Sequence, residues 1–192
     1  MLYHQPSDLE KEDATLVSFL LYSLHFHTLP VVQKNDDADL SAITDAFYGP
    51  DGDRGARKTH NLIHMYLLCE TYDIDNLRID CLDELFWHIR SSEDANLPVP
   101  EDIRLAYQQL GEEAALYKFL VDVVWHDASH RYWHCVDMEV LPKPFLRDVL
   151  TNYAKIRMGE LDADTVMDVC DYHEHEGEGE REACVRKQAE GG

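Results

Sequence analysis

The sequence predicts a mostly α-helical protein, and three observations carry that prediction. Apolar residues recur at spacings of three and four through several separate stretches, the pattern of helices that bury one face. Prolines and glycines fall between those stretches, at Pro98, Pro100, Gly111, Pro142 and Gly159, where they start or stop helices without breaking them. Strand character is confined to the β-branched and aromatic run His25–Val32, bounded by Pro30, so at most one short edge strand is expected.

The elements follow in order. Glu12–Leu24 places Leu16, Phe19, Leu20 and Leu24 on one helical face, behind a lead whose Asp8, Glu10, Glu12 and Asp13 favour a helix N-terminus. From about 33 to 58 the composition turns polar, with Asn35-Asp36-Asp37 and Gly49-Pro50-Asp51-Gly52, and reads as a loop holding one helical turn over Leu40–Phe47. His60–Leu77 reads as an amphipathic helix carrying Leu62, Ile63, Tyr66 and Cys69, a break at Tyr72-Asp73-Ile74, and the start of a second helix with Asp75 as its N-cap. That second helix runs from about Asn76 to Ile89 and buries Leu77, Cys81, Leu82, Leu85 and one of Phe86 and Trp87.

Pro98 and Pro100 introduce Glu101–Leu110, whose stripe is Ile103, Ala106, Tyr107 and Leu110, with Gly111 as its stop. A single long helix is then expected over Glu112–His134, buried along Leu116, Phe119, Leu120, Val123 and Val124. Pro144–Met158 carries Phe145, Leu146, Val149, Leu150, Tyr153 and Ile156, and Gly159 ends it. From Glu160 onward the periodicity fades and acids dominate, so the tail over 159–192 is expected to be mostly disordered.

Bulk properties narrow the function. A formal charge of −21 over 192 residues opposes binding to nucleic acid or to an anionic membrane surface. No apolar run approaches the roughly 18 residues of a membrane-spanning helix, and the N-terminal MLYHQPSDLEKED lacks the basic and apolar regions of a secretory signal. An intracellular protein of the cytoplasm or nucleus is expected. Cys69, Cys81, Cys135, Cys170 and Cys184 are an odd set in a chain of that kind, so they read as thiols, with Cys69 and Cys81 as small buried hydrophobes.

Two segments together resemble the BTB/POZ domain of filamentous fungi, a protein-interaction fold. In DLEKEDATLVSFLLYSLHF, Phe19, Leu20, Leu21, Tyr22 and Leu24 match one family helix; in CETYDIDNL, Tyr72, Ile74 and Leu77 match the last helical hairpin, with Cys69 and Thr71 replacing small and basic family residues. LPVPEDIRLAYQQL is similar to the helical extension that follows the fungal domain. The resemblance implies a partial BTB/POZ-like helical region over 8–90 and a helical extension over 98–158. It implies a non-catalytic adaptor or oligomerisation module whose partner is another protein, a second copy, or a cullin-type ubiquitin ligase scaffold. The similarity starts after the family's strand hairpin and first two helices, which supply much of the scaffold-docking surface, and this sets scaffold docking against the others. Tyr66, Tyr72, Leu77, Trp87 and Trp125 are the candidate interaction residues, aromatic or apolar side chains suited to hot spots and more often found in a core.

The alternative reading is a zinc-binding helical protein. Cys170, His173, His175 and Cys184 offer two thiols and two imidazoles, the donor set of a tetrahedral zinc shell, although the glycine- and glutamate-rich stretch between them suits a solvated tail better. If the helix through WHDASHRYWHC is continuous, His126, His130 and His134 stack on one face as a metal or pH-sensitive stripe, or stand as a plain polar surface. His60 and His64 share the same spacing but lack the glutamate of a metalloprotease motif, and read as capping or surface residues. No phosphate-binding loop and no nucleophile elbow occurs, so catalytic residues and a cofactor other than zinc are not expected.

Overall fold

The computed structural model describes residues 14–26, 29, 47, 54–91, 96–111, 113–162, 167–173, 179, 181, 182, 184 and 185. Among them the chain is helical, as its periodicity predicts, and contains no strand. Of the expected strand, His25 and Phe26 are the last residues of a helix, and the remainder apart from Leu29 lies outside the described residues. Two compact units divide the chain between Asp102 and Ile103.

In the first unit, α1 (Ala14–Phe26) buries Leu16, Phe19, Leu20 and Ser23. That face is Leu16-based at i+3, i+4 and i+7, so Leu24, expected inside, points outward with Leu21. Phe19 stacks on Phe47 at a ring separation of 3.5 Å.

Helix α2 (Arg54–Thr71) begins six residues before the predicted His60. Its polar first turns are held by partners distant in sequence. Thr59 Oγ1 donates to the Asn96 carbonyl at 2.7 Å, Lys58 pairs with Glu84, and Asn61 Nδ2 donates to the Phe47 carbonyl. From Leu62 to Cys69 only His64 escapes full burial, so this half of α2 is enclosed on nearly all sides.

The predicted break falls at Tyr72–Ile74. The Ile74 amide returns to the Cys69 carbonyl at 2.9 Å and Asp73 takes φ of 55°, a Schellman-type ending in which a short polar side chain tolerates the left-handed conformation. Helix α3 (Asp75–Arg90) then packs back on α2 through Leu77, Cys81, Leu82, Leu85, Phe86 and Ile89. Asp75 is not the N-cap: Ile74 holds that position without a side-chain bond, and Asp75 is the first helical residue. There its charge suits the helix dipole and reaches Arg78 at 3.2 Å, while Arg78 also pairs with Glu70 across the break.

The next helix, α4 (Pro100–Gln109), starts on a proline whose missing N–H costs nothing at a first turn. In the second unit, α5 (Ala115–Asp127) is the central element, with Leu116, Phe119, Leu120, Val123 and Val124 all inaccessible. The long helix expected to His134 is interrupted. Ala128 is extended, and the Ser129 hydroxyl accepts from the amides of Arg131 and Tyr132, capping a new short helix α6 (His130–Cys135). Helix α7 (Lys143–Met158) packs on α5 and ends at Gly159, φ 73°. It buries Phe145 and Val149, whereas Leu150 is exposed.

Part of the acidic tail is folded. Val169–Tyr172 form a 3-10 turn against α5, opened by Asp168, whose carboxylate accepts from the Cys170 amide at 2.9 Å. Fading periodicity hides this because a single turn needs only three apolar anchors, and Val169, Cys170 and Tyr172 are all buried.

Candidate metal centre

The tail turn is fastened by side chains of α5. Tyr172 lies edge-on to Phe119 at 5.2 Å and donates its hydroxyl to Asp122 at 3.1 Å, while Lys118 donates to the Asp171 carbonyl at 3.2 Å. Arg181 pairs with Asp171 at 2.7 Å, which brings the later tail back to the turn. These contacts converge Cys170, His173 and Cys184.

The Sγ atoms of Cys170 and Cys184 stand 3.4 Å apart, and His173 Nδ1 lies 3.2 Å from the Cys184 sulfur. All three donor atoms fall within 4.8 Å of one another. Zinc bonds of about 2.3 Å to sulfur and about 2.0 Å to nitrogen give tetrahedral edges of roughly 3.5 to 3.8 Å. The observed separations are a few tenths of an ångström shorter, so small side-chain rotations would admit the ion. Burial, then the Cys184 thiol and the Asp168 carboxylate, push the Cys170 thiol up to about 12. A bound dication reverses that balance, because a coordinating thiol gives up its proton.

His175, the fourth donor expected from the sequence, lies outside the described residues. The histidine stripe does not form as one face. The break at Ala128–Ser129 separates His126, which pairs with Asp127 at 2.7 Å, from His130 and His134, whose rings are 4.3 Å apart on α6. Of the candidate interaction residues, Tyr66, Leu77 and Trp125 are buried in helix packing, whereas Trp87 is 55% and Tyr72 37% exposed.

A second cluster escapes sequence reasoning. His60 and His64, one turn apart on α2, both face Asp102 at the start of α4. Burial alone would raise the Asp102 carboxyl, but the hydrogen bonds and charges of the two imidazoles outweigh it and hold the group below the ordinary carboxylate value. The paired histidines were the visible half of this cluster. Its carboxylate comes from another helix, and only an acid in the first turn after a proline hinted at a fixed position.

No protein-family model, no curated protein and no solved structure matches the chain. Its fold and site therefore define it by architecture alone: a helical protein with a thiol and imidazole cluster at its tail. Among the described residues, no helix is long and apolar enough to cross a membrane.

Proposed function

We propose that this chain is a non-catalytic, zinc-binding helical protein whose acidic tail is locked onto α5 by a structural zinc ion held by Cys170, His173 and Cys184. The observation that carries the reading is the convergence of two sulfurs and one ring nitrogen within 4.8 Å, on a turn already anchored by Tyr172. Soft thiolates with imidazole select zinc over magnesium or calcium. His175, two residues beyond His173, offers the second imidazole of a Cys2His2 shell. A site closed by protein ligands serves structure, and an intracellular setting keeps its thiols reduced.

Elemental analysis of the full chain purified without chelator tests this reading. The Cys184→Ser variant is expected to lose about one equivalent of zinc relative to the native chain and to unfold at lower temperature, since metal binding is coupled to folding. Equal zinc content in the two proteins defeats the reading.

A second reading, favoured by the exposure of Trp87 and Tyr72, is an adaptor or oligomerisation module of the BTB/POZ type. Large exposed aromatics on a helical hairpin are suited to anchoring a protein partner. Light scattering on the native chain and on Trp87→Ala separates the cases: self-association that the substitution abolishes supports a second copy as the partner.

A further inference from the structure

The pair of histidines on α2 and the aspartate on α4 form an arrangement that hydrogen bonding alone leaves incomplete. Asp102 is 2% exposed. Its Oδ1 lies 2.7 Å from His60 Nδ1 and 3.4 Å from His64 Nε2, so two imidazoles aim at a single oxygen. The other oxygen, Oδ2, is buried and finds no hydrogen-bond partner among the described residues. A buried carboxylate oxygen without a donor is costly, and both imidazoles serve only its neighbour, Oδ1. The ring centroids of His60 and His64 stand 4.1 Å apart, and one donor atom from each of the three residues lies within 4.8 Å of the other two.

We infer that His60, His64 and Asp102 form a second metal site, which takes a divalent first-row transition ion through two imidazoles and one carboxylate. The donor set decides the class of ion: imidazole suits zinc, iron, cobalt, nickel and copper, whereas magnesium and calcium require mostly oxygen. A cation among the two ring nitrogens and Oδ1 balances the charge of this buried carboxylate, whose Oδ2 no described residue serves. Helical spacing supplies the two nitrogens from one face, and the first turn of α4 supplies the oxygen.

This site differs in kind from the tail cluster. It has no thiolate, it shares no residue with the tail, and the His60 side chain is 47% accessible. Three protein ligands at an accessible position leave coordination places for water or an anionic ligand, the pattern of an open site. The inference therefore stands or falls independently of the zinc reading above.

Cobalt(II) titration of the full-length Cys170→Ser/Cys184→Ser chain tests it, with the folded state checked by circular dichroism. The expected result is saturable visible absorption from about one cobalt ion, without a thiolate-to-cobalt charge-transfer band. Adding His64→Ala or Asp102→Asn is expected to weaken binding by at least about tenfold, while His130→Ala leaves it unchanged. Absence of saturable absorption in the folded double-serine chain, or equal affinity after Asp102→Asn, overturns the inference. Should the double-serine chain not fold, His60→Gln in the native background serves instead. Loss of about one cobalt ion with the thiolate band intact then supports the site, and unchanged stoichiometry overturns it.

Discussion

Tyr172 and Asp122, fifty residues apart, join the tail to α5 through a hydroxyl that donates to Oδ2 at 3.1 Å. The other carboxylate oxygen accepts from Trp125 Nε1 at 3.1 Å and from Asn152 Nδ2 at 3.4 Å. One side chain thus ties α5, α7 and the tail turn. Tyr172→Phe keeps the ring against Phe119 and removes only the donor, so it is expected to cost about 1.5 kcal/mol, the value of a hydrogen bond to a charged group. Asp122→Ala leaves three donors without their acceptor and is expected to cost more. Urea unfolding in chelator, which removes any metal contribution, measures both; a Tyr172→Phe protein as stable as the parent would show that the ring alone holds the tail.

Helix α1 supplies a matched pair for the core. Phe19 and Leu20 are buried, while Leu21, beside them in sequence, is 62% exposed. Leu20→Ala is expected to lose about 2 to 4 kcal/mol through lost transfer and a residual cavity. Leu21→Ala is expected to change stability by no more than about 0.5 kcal/mol. Comparable losses from the two would mean that Leu21 is covered in solution, which would in turn favour an assembled state.

His88 links stability to pH. Its Nε2 donates to the Gly55 carbonyl at 3.0 Å, with Lys58 and Glu84 nearby. Burial lowers its pKa below the ordinary 6.5, assisted by Lys58 and opposed by the Gly55 carbonyl and Glu84. The unfolded chain therefore takes up the proton first as pH falls, and the folded state loses ground. The contribution is complete above 6.5 and disappears as pH drops through the lower folded value. Thermal unfolding of native and His88→Gln proteins in chelator should show a gap that narrows below that pH. A gap constant across the range contradicts the assignment.

At Gly159 the cost of substitution is conformational. Its φ is 73°, and a Cβ placed there meets nothing within 4 Å. Gly159→Ala is accordingly expected to destabilise by about 1 kcal/mol through left-handed strain, and Gly159→Asn by less. Equal losses for both, measured by calorimetry, would argue against the left-handed cap.

The hairpin was legible because its information is local. Leu62, Ile63, Tyr66 and Cys69 mark one helix and the break at Tyr72–Ile74 ends it, as the structure shows. The start of α2 was not legible, because Arg54–Thr59 lack an apolar stripe and are fixed instead by Asn96, Glu84 and His88 from beyond the break. Likewise the interruption of α5 rests on one capping hydroxyl, Ser129, inside a stretch whose aromatic and histidine spacing reads as continuous helix. In the tail, Cys170, His173 and Cys184 could be picked out by donor chemistry and spacing. Asp102 could not, since its partnership with His60 and His64 is a property of two helices meeting.

The cysteines, packing residues and candidate ligands alike, also grade the molecule by accessibility. Cys135 is exposed on α6, Cys184 is half-buried, and Cys69 and Cys81 are wholly enclosed between α2 and α3. A thiol-reactive dye should therefore label Cys135 at once, whereas Cys69 and Cys81 wait for the hairpin to open. Labelling rates read residue by residue would turn these side chains into internal clocks, timing the opening of the hairpin separately from the release of the tail.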